Sequence, residues 1–569
     1  WKPYAPSAKE LIFAVDFGTT NSHVEWAERG MEAQPLTFSD NREQTLIASL
    51  LKKDSLLIAD QLQRIEFLPR EIDDIYGFPL RTALANNRGA AGGTNLFSDI
   101  NIAFLYERQY FDGYEVATNL KWMGDNTLSK EFLREIVLLI KAKALLENAD
   151  LDKVRLVYFY SVSMGGADRS RLETAWEELF NTYIGGNIDS NLHVYPESIA
   201  PAFYYKGADV AGSSYVSVDI GGGTSDTVIY QTSADQQKTV PVAISSFRFA
   251  GNAIFGDAFS PHDADNNPLL QHYTEYFRKL VEHNPDVTYL NSIMNTIMAG
   301  KRSEDINAFL FSIENVEQLR GLPPMDRNLY SYNALLRGDD QRKLVFVYFY
   351  SALIYYIASS MKHRNFVKPK QIYFSGTGSK ILNILGSREL VTEITQSILE
   401  RVFGEKYTEP FSIKVERDCP KQITCRGGVR LENQRLDSHT SPEMSTLIDM
   451  MRPRNVNAMK YCYSMIDEEQ LTIDKVNDLG VREKIVNEVK QFNQFFIELC
   501  DAVMRDELGV DNKVFNTFKT VVDENVANYL IAGINSYLQG RYEPGAVVED
   551  VPFFYPIIGV IRYNLLKNL

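Results

Sequence analysis

Thiols, basic charge and long apolar runs are all scarce in this sequence, and each shortage excludes something. The 569 residues include four cysteines: Cys419, Cys425, Cys462 and Cys500. None forms a C-x-x-C pair, so no zinc site is suggested, and Cys419 and Cys425 are the one pair near enough in sequence to consider joining. So few thiols fit a reducing, cytoplasmic setting better than a disulfide framework. Lys and Arg number 59 against 74 Asp and Glu, a formal net charge of −15 at pH 7. Nucleic-acid binding needs a basic face to displace counterions, and an anionic membrane surface needs one too. Neither partner is expected. No signal-peptide pattern follows Trp1.

A single stretch is long and uncharged enough to raise the question of a membrane span: Leu344–Met361, LVFVYFYSALIYYIASSM. Its four tyrosines lie within the run rather than at its ends, where a spanning helix keeps them. A buried core helix is the expectation. The remaining composition is that of a folded chain, 45% hydrophobic and 12% aromatic. At about 150 residues per domain, three or four domains are allowed.

Two stretches share one design. Leu11–Val15 is an apolar run that stops at Asp16, followed by Phe-Gly-Thr-Thr-Asn-Ser22 and a second strand-like run, His23–Trp26. Tyr215–Val218 stops at Asp219, followed by Ile-Gly-Gly-Gly-Thr-Ser-Asp226 and the run Thr227–Tyr230. Each reads as strand, tight turn, strand. The duplication predicts two related α/β halves.

Glycine lets backbone amides approach a phosphate without a Cβ in the way. Successive amides and Thr hydroxyls then bind phosphate oxygens. Gly18, Thr19, Thr20 and Asn21 in the first loop, and Gly221, Gly222, Gly223 and Thr224 in the second, are the candidate phosphate ligands. An ordinary hairpin turn is the alternative. Three consecutive glycines weigh against it, since each costs about 0.5–1 kcal/mol inside a regular element. Asp16 and Asp219, at the strand ends, are candidates to hold Mg²⁺ through waters. Two such loops would clamp the phosphates from opposite sides.

Other elements follow from pattern. Glu131–Asn148 has helical spacing, Val154–Ser161 is a buried-strand candidate, and Asp168–Phe180 reads as a helix capped by Asp168. His193–Tyr195 and Gln371–Phe374 are short strands. Asn86–Asn95 carries loop signals. The run Cys425–Val429, CRGGV, allows a helix to pack closely on a sheet. From about residue 440 the chain reads as mostly helical.

The loops resemble known motifs. DFGTTNS at Asp16–Ser22 is close to the first phosphate motif of the DnaK-type heat-shock chaperone ATPases, and DIGGGTSD at Asp219–Asp226 to their second. Actin-like filament proteins carry a related form. Ser375–Lys380, SGTGSK, resembles the adenosine motif, and Val194–Phe203, VYPESIAPAF, the first connecting segment. Asn119–Gly124, NLKWMG, is similar to the segment with the chaperones' phosphate-directed lysine. The resemblance covers roughly residues 9–430.

What it implies is an α/β, duplicated actin-like (ribonuclease-H-like) ATPase fold in two lobes with an α-helical C-terminal appendage. Lobe I is expected at about 1–212 plus a helix near 420–435, and lobe II at about 213–419. Variable subdomains fall at about 46–153 and 252–340. Residues 1–430 form the ATPase domain and 431–569 the helical region. The implied cofactors are ATP or ADP and Mg²⁺. Asp16, Asp219 and Glu197 would organise the metal through waters, Lys121 would steady the γ-phosphate, and Glu197 would orient water. Asp219 and Thr224 complete the catalytic set. Gly376, Thr377, Gly378, Ser379 and Lys380 would lie against adenosine.

Each polar candidate has a plainer reading. Lys121 is otherwise a solvated lysine, Glu197 a helix cap, Asp226 a loop-structuring residue and Lys380 a surface lysine; His23 is expected to be structural. The chaperones continue into an acidic hydrophobic linker and a peptide-binding β-sandwich, and neither pattern follows residue 430. The function implied is a slow Mg-dependent ATPase acting as a chaperone-like switch, with a protein partner reached through the variable subdomain or helical tail. A filament-forming actin-like ATPase is the main alternative. A small-molecule kinase and a nucleotide-binding scaffold without turnover stand behind it.

Overall fold

The apolar run that opens the first hairpin forms strand β1, Leu11–Phe17, and is buried along its whole length. Its partners in a computed structural model of the chain account for that. The structure describes residues 5–37 without Thr20, 78–87, 114–437 and 471–565 apart from short gaps, and Asn457–Ala458. Two units divide the chain: Trp1–Lys206, Asn315–Glu317 and Asp418–Met451 in the first, and Gly207–Glu314, Gln318–Arg417 and Arg452–Leu569 in the second.

The first unit holds β1, β2 (Asn21–Glu28), β3 (Gln34–Pro35), β4 (Leu80–Arg81), β5 (Ala83–Asn87), β6 (Tyr114–Thr118), β7 (Arg155–Tyr160) and β8 (Leu192–Pro196). The main sheet runs β3-β2-β1-β7-β8, with β4 also paired to β2; β5 and β6 form a separate ribbon. β1 is antiparallel to β2 and parallel to β7, which is parallel to β8. Successive strand residues point to opposite faces. Leu11, Phe13, Val15 and Phe17 enter a core shared with the helices Asn126–Leu146 and Gly166–Tyr183. The alternate face of β1, which carries Asp16, meets the helix Pro420–Asp437. Covering both faces explains why β1 reads as continuous apolar sequence rather than as alternation.

The second unit holds β9 (Ser214–Ile220), β10 (Ser225–Thr232), β11 (Thr239–Phe247), β12 (Pro369–Ser375), β13 (Ser412–Val415) and β14 (Asn457–Ala458). Its sheet runs β13-β12-β9-β10-β11-β14. β9 is antiparallel to β10 and parallel to β12, and β12 is parallel to β13. From β11 to β13 this repeats the order and sense of the first sheet from β3 to β8. The fold is therefore a duplicated actin-like, ribonuclease-H-like α/β fold with one main sheet in each unit.

The long apolar run forms the helix Asp340–His363 inside the second unit. Its 18-residue apolar window is buried throughout. The tyrosines tolerate this because their hydroxyls are bonded: Tyr348 donates to Asn493 Oδ1 at 2.6 Å, and Tyr350 pairs with Thr395 Oγ1 at 2.6 Å. The helices Leu479–Leu499, Asn512–Val521 and Phe554–Gly559 supply the rings packed on it. The helical C-terminal region is thus core material of the second unit.

Several boundaries moved; the helix expected at Glu131–Asn148, for example, spans Asn126–Leu146. β1 and β9 run one residue past Asp16 and Asp219, so both carboxylates sit inside strands. The helix with Asp168 begins at Gly166, which puts Asp168 in the first turn rather than at the cap. Asn86 and Asn87 end β5, and the rest of that expected loop lies outside the described residues.

His193 in β8 gives a test of unit packing. Burial pushes its imidazole down to about 4, opposed by Glu432 and helped by Arg435 and Arg155. The unfolded value is near 6.5. Between about pH 6.5 and 4 the unfolded chain binds a proton that the folded chain refuses. This contribution is present above pH 6.5 and is lost as pH falls toward 4, up to roughly 3 kcal/mol. Urea midpoints at pH 7 and 4.5 should therefore fall further in wild type than in His193→Gln. Equal falls in both would remove His193 as a source of acid sensitivity.

Candidate functional site

Each unit carries one loop, and each loop gathers groups from distant sequence. In the first, Gly18 opens a turn so tight that a Cβ there would lie 2.3 Å from the Asn21 carbonyl oxygen. The turn is anchored beside β4, just past which Thr82 Oγ1 lies 2.7 Å from Ser22 Oγ. Trp122 Nε1 donates to Thr19 Oγ1 at 2.9 Å, which brings the short helix Leu120–Trp122 onto the loop. Lys121 on that turn is buried, and its ammonium is hydrogen-bonded to Glu197 Oε1 just beyond β8. The structure thus joins Lys121 and Glu197 into one buried ion pair beside a turn bonded to the loop. A solvated surface lysine does not describe Lys121. Thr20 lies outside the described residues.

Asp16 also has a cation that the motifs did not foretell. Lys421 Nζ lies 2.7 Å from Asp16 Oδ2, and both side chains are buried. Lys421 stands in the first turn of the helix Pro420–Asp437. Gly427 and Gly428 let that helix in. A Cβ on Gly428 would meet the Phe159 ring at 2.5 Å, and one on Gly427 would lie 1.9 Å from the Ala200 carbonyl oxygen. The CRGGV run was the available signal for close packing, and it packs on both the sheet and the Ala200 backbone. Nothing local marked Lys421 as a partner of Asp16.

Cys425, one turn after Lys421, is a free thiol whose Sγ donates to the His23 carbonyl oxygen at 3.5 Å. Burial, with Asp16 and Glu25 adding to it, pushes this thiol well above its ordinary value. It stays protonated and inert. His23 is buried against Phe78 and bonded to Glu25 at 3.0 Å, a structural placement.

In the second unit, the Gly221 amide closes the loop on the Thr224 carbonyl oxygen at 2.9 Å. The helix Gly251–Phe255 braces it from outside: Gly251 N donates to Gly221 O and Asn252 N to Gly222 O, at 3.1 and 2.7 Å. The adenosine-like turn sits directly on this loop. Gly376 has φ +79°, and a Cβ there would lie 2.3 Å from the Ile220 carbonyl oxygen; one on Gly378 would lie 2.4 Å from the Gly221 carbonyl oxygen. Ser375 Oγ donates to Asp219 Oδ2 at 2.7 Å. Ser379 is buried and bonded to the Gly376 carbonyl, Thr377 is half-buried, and Lys380 is exposed. Asp226 stands opposite Asp219 across the β9–β10 ladder, both buried. Directly opposite residues share a face, so this loop holds two carboxylates where the first has Asp16 opposite His23.

In the first unit Glu197 is paired with Lys121 and Asp16 Oδ2 with Lys421, while Asp16 Oδ1 is buried and has no hydrogen-bond partner among the described residues. Among the described residues no group of three or more His, Cys, Asp or Glu side chains gathers as a metal site. The orphaned Asp16 Oδ1 is an acceptor that a magnesium-bound water would fit.

No protein-family model matches the chain, and no curated protein matches it. Solved structures similar to it include MreB5 of Spiroplasma citri bound to ADP, with 11% identity and a TM-score of 0.32 over 75% of this chain and 98% of that one. The same protein bound to AMPPNP gives 12% and 0.31 over 75% and 98%. A non-polymerising MamK mutant bound to AMPPNP gives 14% and 0.32 over 75% and 99%. The strand orders, rather than these likenesses, carry the fold.

Proposed function

We propose that this protein binds an adenine nucleotide, ATP or ADP, and hydrolyses ATP slowly as a conformational switch. The observation that carries the reading is the seating of the Gly376–Ser379 turn on the Asp219–Gly223 loop. A phosphate-type loop and an adenosine-type turn, far apart in sequence, meet at backbone contact. Amides of Gly221–Gly223 and the Thr224 hydroxyl bind phosphate oxygens, and the Gly376–Ser379 turn supports adenosine.

In the first unit, Thr19, Asn21 and the Gly18 turn receive phosphate. Lys121 exchanges its partner, leaving Glu197 for a phosphate oxygen. Glu197 is then free to orient water for attack on the terminal phosphorus and to accept its proton as the bridging P–O bond breaks. In this scheme hydrolysis waits on phosphate, because Glu197 is masked until Lys121 leaves it.

The output of the switch is better matched by self-assembly than by peptide chaperoning. The described residues beyond 471 form helices used in the core of the second unit, and no peptide-binding sandwich stands among them. Sedimentation with and without ATP separates the two readings. Nucleotide-dependent pelleting supports filaments, and a soluble protein in both conditions removes them.

The nucleotide site is tested with a fluorescent ADP analogue and phosphate release. Thr224→Ala should weaken binding about tenfold, the loss of about 1.4 kcal/mol. Glu197→Ala should keep binding and lose about a hundredfold or more in turnover. Wild type that binds no adenine nucleotide sinks the reading. Normal hydrolysis by Glu197→Ala sinks the assignment of Glu197 alone.

A further inference from the structure

The short helix Leu120–Trp122 does more than bring Lys121 to Glu197. Its last residue is half-buried, with the indole packed on the core of the first unit. From that seat Trp122 Nε1 donates to Thr19 Oγ1 at 2.9 Å. An indole N–H can only donate, whereas a threonine hydroxyl has one proton and two lone pairs. The sense of the bond is therefore fixed, and Thr19 accepts. Its own proton is left for another acceptor, and among the described residues none takes it. An ionised phosphate oxygen is such an acceptor. A hydroxyl free to turn can meet that oxygen with its proton or with a lone pair, and the lone pair is repelled. The indole removes the choice before the ligand arrives. A donor set in advance binds better because no reorganisation is left to be done.

We infer that Trp122 is a positioning residue of the nucleotide site, whose indole N–H holds the Thr19 hydroxyl as a donor for a phosphate oxygen. The inference rests on the nucleotide reading above and deepens it. Trp122 acts through Thr19 rather than on the ligand. Lys121 precedes it in the chain, with its ammonium 5.9 Å from the Trp122 ring centroid. One short helix thus sets the Thr19 hydroxyl and carries the lysine that masks Glu197.

The test is a double-mutant cycle on the full chain, read by affinity for a fluorescent, non-hydrolysable ATP analogue. Trp122→Phe keeps an aromatic ring and removes the N–H; it should weaken binding about fivefold. Thr19→Val removes the hydroxyl and should weaken binding about tenfold. The double variant should also lose about tenfold, because an absent hydroxyl has no orientation to lose; independent effects would give about fiftyfold. Thr19→Ser keeps the hydroxyl and should bind as wild type does. A bond that only anchored the turn would lower the melting temperature of Trp122→Phe and leave its affinity unmoved. The second readout needs no nucleotide. Subtracting the Trp122→Phe emission isolates Trp122 from the other tryptophans, and that emission should shift when Thr19→Val removes the acceptor.

Equal affinity of wild type and Trp122→Phe overturns the inference. So does a fiftyfold loss in the double variant, or a Trp122 emission that Thr19→Val leaves unchanged. If Trp122→Phe does not fold, Thr19→Val beside Thr19→Ser decides, and wild-type affinity in both overturns the inference. Wild type that binds no adenine nucleotide overturns the nucleotide reading and this inference together, whereas binding that is indifferent to Trp122 overturns this inference alone.

Discussion

A chain ending at Asp437 is expected not to fold its second unit. The helix Asp340–His363 is enclosed partly by what would be removed. Tyr348 packs its ring 5.2 Å from Phe492, 5.1 Å from Phe496 and 5.5 Å from Phe518, centroid to centroid. Tyr356 packs 4.9 Å from Phe554, and Phe554 in turn stacks on Phe247 of β11 at 4.4 Å. Burying one large apolar side chain is worth about 1.5–3 kcal/mol. Uncovering half a dozen at once exceeds the roughly 5–15 kcal/mol that holds an ordinary domain together. Asn493 would leave with the tail, and the buried Tyr348 hydroxyl would lose its acceptor. The shortened chain should be recovered as aggregate, or as a species that binds apolar dye and lacks near-ultraviolet dichroism. A soluble monomer of residues 1–437, melting cooperatively within about 5 °C of the full chain, would show that the tail is dispensable.

The second large effect is expected at Gly427. The helix Pro420–Asp437 and the segment beginning at Ala200 touch there by backbone, and a Cβ would lie 1.9 Å from the Ala200 carbonyl oxygen and 2.5 Å from its carbon. Neither atom can rotate away. Gly427→Val must push the helix off by more than an ångström, at about 3 kcal/mol, the upper end for an overpacked site. For a unit of this size that lowers the melting temperature by roughly 6–12 °C. Gly428→Ala is the internal comparison. Its Cβ meets the far end of the Phe159 side chain rather than backbone, so its loss should be smaller. Equal melting of the two glycine variants would count against this account of the helix contact.

The legible part of the fold was the part with a local signature. An apolar run, an acidic residue, glycines and a second apolar run are contiguous in sequence, and both hairpins stand where that pattern places them. Tyr348 and Tyr350 within the apolar run identified a core helix, because buried hydroxyls can be satisfied by Asn493 and Thr395 in a protein interior. The site was less legible, for a reason that is physical rather than statistical. Lys421 and Asp16 are 405 positions apart, and Lys121 and Glu197 are 76 apart. No periodicity or spacing connects such residues; only the strand order does. A motif shows which carboxylate is present, while burial and pairing decide whether it is available to a metal.

The interleaving of the first unit also sets an order of events in the cell. Its strands β1 to β8 are made first, yet the helix that covers the Asp16 face comes only after the sheet strands β9 to β13 of the second unit. A ribosome adding about 5–20 residues per second needs roughly 20–80 s to go from Asp16 to Lys421, given the 405 residues between them. For that interval the nascent first unit holds an uncompensated carboxylate and an open slot where Gly427 will meet Ala200. Its completion is therefore a late event of synthesis, set by the arrival of the helix Pro420–Asp437.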